Sequence, residues 1–195
     1  SKSFPTKRGE RLALDGVSFS VAAGETATVL GPTGCGKTTV LNIVAGFDMP
    51  TRGRVLVGDT QVGGPGPDRG FMFQRPTLLP WLSVFDNVAF PCRFGRELAP
   101  SRTTGTIDAA VTQALASVGL QDAHDLFPHQ MSGGMQSRAA LARLLVADSD
   151  VLLMDEPFAA LDAQTRLSMQ TLLRRVVKAD RLRTVLFITH DVEEA

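Results

Sequence analysis

Gly31-Pro32-Thr33-Gly34-Cys35-Gly36-Lys37-Thr38-Thr39 follows the apolar run Thr26-Ala-Thr-Val-Leu30 and leads into Val40-Leu-Asn-Ile-Val44. The order is strand, glycine turn, helix start. Gly31, Gly34 and Gly36 keep the turn free of Cβ atoms, so consecutive backbone N–H groups can point inward, and the helix N-terminus adds partial positive charge. Such a turn suits an anion. Lys37 can neutralise the outer phosphates of a nucleoside triphosphate and the Thr38 hydroxyl can ligate Mg²⁺, which is the mechanical content of the G-x-x-x-x-G-K-[ST] pattern. The stretch therefore implies binding of ATP or GTP.

Composition narrows the class. A chain of 195 residues can bury a real core in one domain, with room for a small subdomain. Lysine plus arginine and aspartate plus glutamate number 20 each, so there is no basic footprint of the kind nucleic-acid binding shows. No apolar run approaches the length of a membrane helix, and no charged-then-apolar leader opens the chain, which points to the cytosol. Cys35 and Cys92 form neither a disulfide framework nor a metal spacing and read as reduced thiols. The start at Ser1 and the stop at Glu193-Glu-Ala195, within what reads as a new helix, lead us to expect a fragment.

Working outward from the glycine turn, Phe4 to Arg11 is polar and basic around one aromatic. Val17, Phe19 and Val21 alternate, predicting a strand over 17–21. The helix from Lys37 should end near Gly46, followed by a short strand within Thr51–Gly58, a loop over Gly63–Pro67, and a strand over Gly70–Phe73. From Arg75 to Gln130, prolines at 76, 80, 91, 100 and 128 punctuate short helical patterns, predicting a helical insertion over 75–130. Its clearest helix carries Ile107, Ala110, Val111, Ala114, Leu115 and Val118 and closes at Gly119. Ser132 stands at an N-cap position before a helix with Ala139, Leu141, Leu144 and Leu145. Next come strand Val151–Met154, a helix with Leu167, Leu172, Leu173, Val176 and Val177, and strand Thr184–Thr189. Apolar strands alternating with helices predict an α/β fold with a mostly parallel, buried sheet.

Val151-Leu-Leu-Met-Asp155-Glu156-Pro157 puts two carboxylates at the end of a buried strand, where ligands bind in open α/β sheets. Asp155 suits the Mg²⁺ sphere, and Glu156 suits a general base for an attacking water.

Met131-Ser132-Gly133-Gly134-Met135-Gln136, lying before that strand, resembles the LSGGQ signature of ABC-type ATPases. Gln74 after a strand resembles the Q-loop of that family, Ala160-Leu161-Asp162 its D-loop, and His190 after Phe187-Ile-Thr189, with Asp191 beside it, its switch histidine. The resemblance covers nearly the whole chain, and it implies a P-loop NTPase fold with a mostly parallel core sheet, an N-terminal antiparallel β part and a helical subdomain. Residues 1–195 would then be a single ATPase domain, truncated at both ends. The resemblance further implies that Gln74 joins Thr38 and Asp155 at Mg²⁺, and that Glu156, Gln74 and His190 act at the γ-phosphate. Gly31 to Thr39 would hold ATP, with Phe4 stacking on adenine. Ser132, Gly133, Gly134 and Asp162 would complete the nucleotide site of a partner subunit, so that two copies close head to tail around two ATP molecules. Met135 departs from the usual signature Gln, a change that also occurs in importer relatives.

Leu78-Leu79-Pro80-Trp81-Leu82-Ser83-Val84 lies just past Gln74. In ABC importers this region resembles the groove that receives a membrane subunit, so permease docking near Leu79, Trp81 and Leu82 is expected, with packing of the small helical core as the blander role. Gly66–Gln74, Leu79–Ala89 and Asp155–Asp162 resemble the nitrate, sulfonate and taurine importer group, which also includes importers of pyrimidine precursors. That implies ATP hydrolysis on the cytoplasmic face of the membrane, alongside permease subunits and a periplasmic or lipoprotein binding protein. A soluble ABC-type ATPase, a transporter ATPase for an unrelated substrate, and a plain P-loop kinase or GTPase stay open as alternatives.

Overall fold

The computed structural model describes all residues except 8, 95–103, 148, 160, 180–182 and 191–195, with the backbone alone at 94, 104 and 176–179. Asp191, Ala160, Pro100 and the expected helix at 193–195 lie outside the described residues, as do the side chains of Val176 and Val177.

The centre is a four-stranded parallel sheet in the order β3 (Thr26–Leu30), β8 (Thr184–Thr189), β7 (Val151–Asp155), β6 (Arg69–Met72). Side chains alternate across it with period two. Leu152, Met154, Val185 and Phe187 point into a large apolar cluster, while Leu153, Leu186 and Ile188 point into a smaller one with Leu41 and Ala45 of α1 (Lys37–Ala45). Both faces are covered, which is why these strands read as continuous apolar runs rather than alternating ones. Helix α1 stops at Gly46, whose φ of +80° provides the left-handed cap that the sequence predicts.

The large cluster joins the sheet to α2 (Val84–Phe94), α3 (Thr104–Ser117) and α4 (Gly133–Val146). Ile107, Val111, Leu115 and Val118 are buried at the predicted helical spacing, and Gly119 takes φ +68° just past α3. Helix α2 runs through Pro91 rather than being broken by it. Before α2, the fully buried Asn87 knits a loop: its amide nitrogen donates to the carbonyls of Leu79, Leu82 and Ser83 at 3.0–3.1 Å, and its oxygen accepts from Leu79 N at 2.7 Å. Trp81 sits in that loop, 70% exposed.

Three expectations are corrected. Residues 17–21 form no strand; Val17 and Phe19 are half exposed, since alternation makes a strand only where a partner ladder exists, and none is offered among the described residues. The antiparallel part is instead the hairpin of β1 (Lys2–Thr6) and β2 (Gly9–Leu14), which pairs Phe4 with Arg11 and closes through Gly9 at φ +116°. The strand expected within Thr51–Gly58 shrinks to β4 (Leu56–Val57), paired with β5 (Thr60–Gln61) across a turn containing Gly58 at φ +57°. In α5 (Ala163–Ala179), Leu167 is 67% exposed; the buried stripe runs through Met169 and Leu173 instead.

Candidate functional site

Because the strands are parallel and in register, their carboxyl ends lie side by side. Leu30 pairs with Thr189, Ile188 with Asp155, and Met154 with Met72. The segments that follow therefore emerge in the order phosphate loop, His190, Glu156, Gln74 at one edge, the place where open α/β sheets bind ligands.

The loop between β3 and α1 takes left-handed conformations at Gly34 (φ +85°) and Gly36 (φ +103°). A Cβ at Gly36 would fall 2.7 Å from Leu14 Cδ2 and 2.8 Å from the Ala13 carbonyl oxygen, so β2 walls the loop closely. Gly36→Ala therefore meets both a backbone clash and a forbidden φ, and should destabilise the fold by about 1–3 kcal/mol. Nucleotide affinity should fall at least about tenfold, because backbone amides that no longer converge cannot share one phosphate; thermal melts and a nucleotide titration check the two effects. Lys37 is 7% exposed, its ammonium donating to the carbonyls of Gly31 (2.6 Å) and Pro32 (3.1 Å) across its own loop. A triphosphate oxygen is a stronger acceptor for that cation than either carbonyl.

Asp155 is 6% exposed at the end of β7. Burial pushes its carboxyl above the ordinary range and the neighbouring Glu156 charge adds to this, while the Thr38 hydroxyl donating to it and the Lys37 charge pull the other way. Glu156 is the one described non-glycine residue with positive φ, at +46°. That conformation is uncommon outside glycine, and it is held by the Glu156 N–H donating to the Ile188 carbonyl at 3.0 Å. It turns the side chain sideways: Oε2 accepts from Gln74 Nε2 at 2.8 Å, and Oε1 lies 3.1 Å from His190 Nδ1. Three separate strands thus bring three polar side chains together, two of them onto one carboxylate.

These groups border an open cleft of about 600 Å³. Lys37, Thr38, Gln74, Asp155, Glu156 and His190 line it toward the sheet, and Phe4 lines it on the hairpin, beneath the Lys2 ammonium, which lies 4.8 Å from the ring centroid. Thr33, Gly34, Gly36 and Thr39 also line it, whereas Gly31, Pro32 and Cys35 do not, and Cys35 is an exposed free thiol. Thr6 and Arg11 line the cleft too and were missed from the sequence. Finding Arg11 requires knowing that it pairs with Phe4 across the hairpin, and the hairpin was not legible.

Ser132, Gly133, Gly134 and Asp162 do not line this cleft. Ser132 caps α4, its hydroxyl accepting from Met135 N at 3.2 Å, and both Ser132 and Gly133 are exposed. The Gln136 amide, donating to the Pro128 carbonyl at 2.8 Å, holds the entry to that helix. Asp162 accepts the Thr165 backbone N–H at 3.0 Å before α5, and that bond, with one to the Thr165 side chain, holds its carboxyl below the usual range.

Oxygen donors are what Mg²⁺ requires, and they stand together here: the Asp155 carboxylate, the Thr38 hydroxyl and Gln74 line the same cleft. A phosphate-binding turn beside a buried carboxylate and a second carboxylate held by two partners, at the carboxyl edge of a parallel sheet, defines a P-loop nucleoside triphosphatase.

The profile of the ABC transporter family matches residues 14–159, and the chain belongs to that family. Among curated relatives, the taurine import ATP-binding protein TauB of Chromobacterium violaceum is 50% identical over 184 residues, covering 94% of this chain and 68% of that protein. TauB of Pelagibacter ubique is 47% identical over 193 residues, covering 98% and 71%. An uncharacterized ABC transporter ATP-binding protein of Methanocaldococcus jannaschii is 48% identical over 183 residues, covering 94% and 66%, so the chain spans about two thirds of the length of such relatives. A dimeric ATP-binding cassette solved in a post-hydrolysis state with ADP and Pi superposes with a TM-score of 0.90 at 30% identity, covering 100% of this chain and 87% of that one.

Proposed function

We propose that this chain is the ATP-hydrolysing part of an importer that takes up a small polar solute, of the sulfonate, taurine, nitrate or pyrimidine-precursor kind. The observation that carries the catalytic half of this reading is the convergence of Gln74 and His190 on Glu156, beside the phosphate loop. The importer half is supported by the taurine-import relatives.

ATP lies with its phosphates in the Gly31–Thr39 turn, Lys37 moving from its loop carbonyls to the outer phosphates, and with adenine against Phe4. Thr38, Asp155 and Gln74 would hold Mg²⁺, which would neutralise phosphate charge. Glu156 takes a proton from the attacking water. His190, donating through Nδ1, steadies that carboxylate, and its exposed ring stays free to reach the γ-phosphate. The α4 N-terminus at Ser132–Gly134, exposed at Ser132 and Gly133 and standing off this cleft, serves the nucleotide of a second copy, so ATP closes a head-to-tail dimer. Residues 1–195 act as one ATPase domain with 75–130 as its helical subdomain. The loop that Asn87 shapes, with Trp81 outermost and Leu79 and Leu82 beside it, receives the permease on the cytoplasmic face of the membrane. No helix among the described residues is long and apolar enough to cross a membrane itself.

The test is ATP hydrolysis by the full-length protein with its permease and binding protein in liposomes. Taurine, alkanesulfonates, nitrate and pyrimidine precursors are offered in turn. Stimulation by one of them is the expected result; basal hydrolysis that none stimulates would remove the substrate-group assignment and leave a different cargo or a soluble ABC-type ATPase.

A further inference from the structure

Gln74 lies just beyond β6, whose ladder with β7 ends at the Met72–Met154 pair. The sheet therefore determines its position on the amino side. On its carboxyl side the chain runs Arg75-Pro76-Thr77, and Thr77 is fastened from a different element. Arg143, in the last turn of α4, donates from Nη1 to the Thr77 carbonyl at 2.9 Å and from Nη2 to the Thr77 hydroxyl at 3.1 Å. Pro76 restricts the backbone in between.

The helix that carries Arg143 is itself seated on the strand that delivers Gln74. A Cβ at Gly70 of β6 would fall 2.6 Å from Leu144 Cδ1, so strand and helix are in close contact one residue from Arg143. Among the described residues no carboxylate pairs with the Arg143 guanidinium, whose burial lowers its pKa. Any cation is favoured at a helix C-terminus, but the dipole does not ask for a fork onto a single residue. The fork closes a ring from β6 through Gln74 to Thr77 and back through Arg143 and α4. Phe73 to Pro76 is the stretch left to move within it.

We propose that Arg143 is a positioning residue for Gln74: its fork onto Thr77 sets how far Gln74 reaches toward Glu156 and the site of the attacking water. This rests on Gln74 acting in hydrolysis, as read above. Arg143 does not line the cleft. A lysine in its place keeps the charge at the helix end and loses the two-pronged geometry.

Steady-state hydrolysis by the full-length protein tests this, using Arg143→Lys, Thr77→Val, Thr77→Ser, Gln74→Ala and the double variant Arg143→Lys/Gln74→Ala. Arg143→Lys should lower kcat roughly tenfold, with KM for ATP within about twofold, as for a displaced group needed after binding. Thr77→Val should lower kcat in the same direction by less, and Thr77→Ser should restore it. In the double variant kcat should be no lower than in Gln74→Ala alone. Losses that multiply in the double variant, or a melting-temperature drop with unchanged kcat in Arg143→Lys and Thr77→Val, would reduce the fork to ordinary packing and overturn the proposal. A wild-type kcat in Gln74→Ala would also overturn it, by removing the reading on which it rests, and the single Gln74 variant distinguishes that failure from the others. If Arg143→Lys does not fold, the Thr77 pair decides.

Discussion

Glu156→Gln should slow ATP hydrolysis by about 10²–10⁴-fold, the range for losing a positioned general base. The geometry makes this a clean substitution. The introduced glutamine can still accept from Gln74 and, through its amide nitrogen, donate to a His190 ring nitrogen. It thus retains both neighbours, which stand at 2.8 and 3.1 Å from the native carboxylate, while losing the basic oxygen. The Glu156 carboxylate bonds to Gln74 and His190 and to no group of the phosphate loop, so nucleotide affinity should be retained. A protein that binds ATP and does not consume it should stay closed. Single-turnover hydrolysis gives the rate, and sizing with ATP and with ADP gives the state: a dimer with ATP alone is the expected pattern. A monomer at saturating ATP would count against the composite site formed with Ser132–Gly134, and an unchanged rate would move the base elsewhere.

Asp155→Asn should produce opposite effects on stability and activity. Burial is the largest influence on this carboxylate and raises its pKa, with the Glu156 charge acting in the same direction. The folded protein thus holds the Asp155 proton more tightly than the unfolded chain, whose value is about 3.9. By linkage, stability without nucleotide falls as pH rises from that value through the raised folded value, and above it the deficit is complete. The introduced asparagine does not titrate and can still accept from the Thr38 hydroxyl. The nucleotide-free variant should therefore melt higher than the parent at neutral pH, with the gap closing toward pH ~4, near the unfolded value. With Mg²⁺ and ATP the order reverses, because the costly carboxylate is the one that holds the cation. Hydrolysis should fall by about 10²–10³-fold, the equivalent of several kcal/mol of charge stabilisation. Melts from about pH 4 to about pH 8, with and without Mg²⁺ and ATP, read the sign directly; a variant less stable than the parent at every pH would overturn the account.

The reasons for success and failure in reading the chain are local. Strand Thr184–Thr189 was legible to the residue because both of its faces are covered, which leaves an uninterrupted apolar run between two threonines, and Thr26–Leu30 because it leads straight into the glycine turn. The phosphate loop was legible because its requirement is on backbone conformation, and glycine at 34 and 36 meets it without strain. The hairpin was not: Lys2–Thr6 and Gly9–Leu14 are stabilised by pairing with each other and present no apolar stripe, while Val17 and Phe19 present one that finds no ladder. Arg11 was lost with the hairpin. Leu167 misled because it is apolar at helical spacing yet stands off the buried stripe, in solvent.

By itself the amino-acid order determined which chemical groups this protein has and on which kind of element each stands: a glycine turn before a helix, carboxylates after a buried strand, a polar residue after each neighbouring strand. These are short-range matters, settled by backbone conformation and apolar periodicity. Only the tertiary structure decided that Gln74 and His190 meet on Glu156, that burial raises the pKa of Asp155, and that Arg143 reaches Thr77. Each of those depends on parallel strand register and on burial. The bonded groups stand 34, 66 and 82 positions apart along the chain, so no local stretch carries a trace of their meeting.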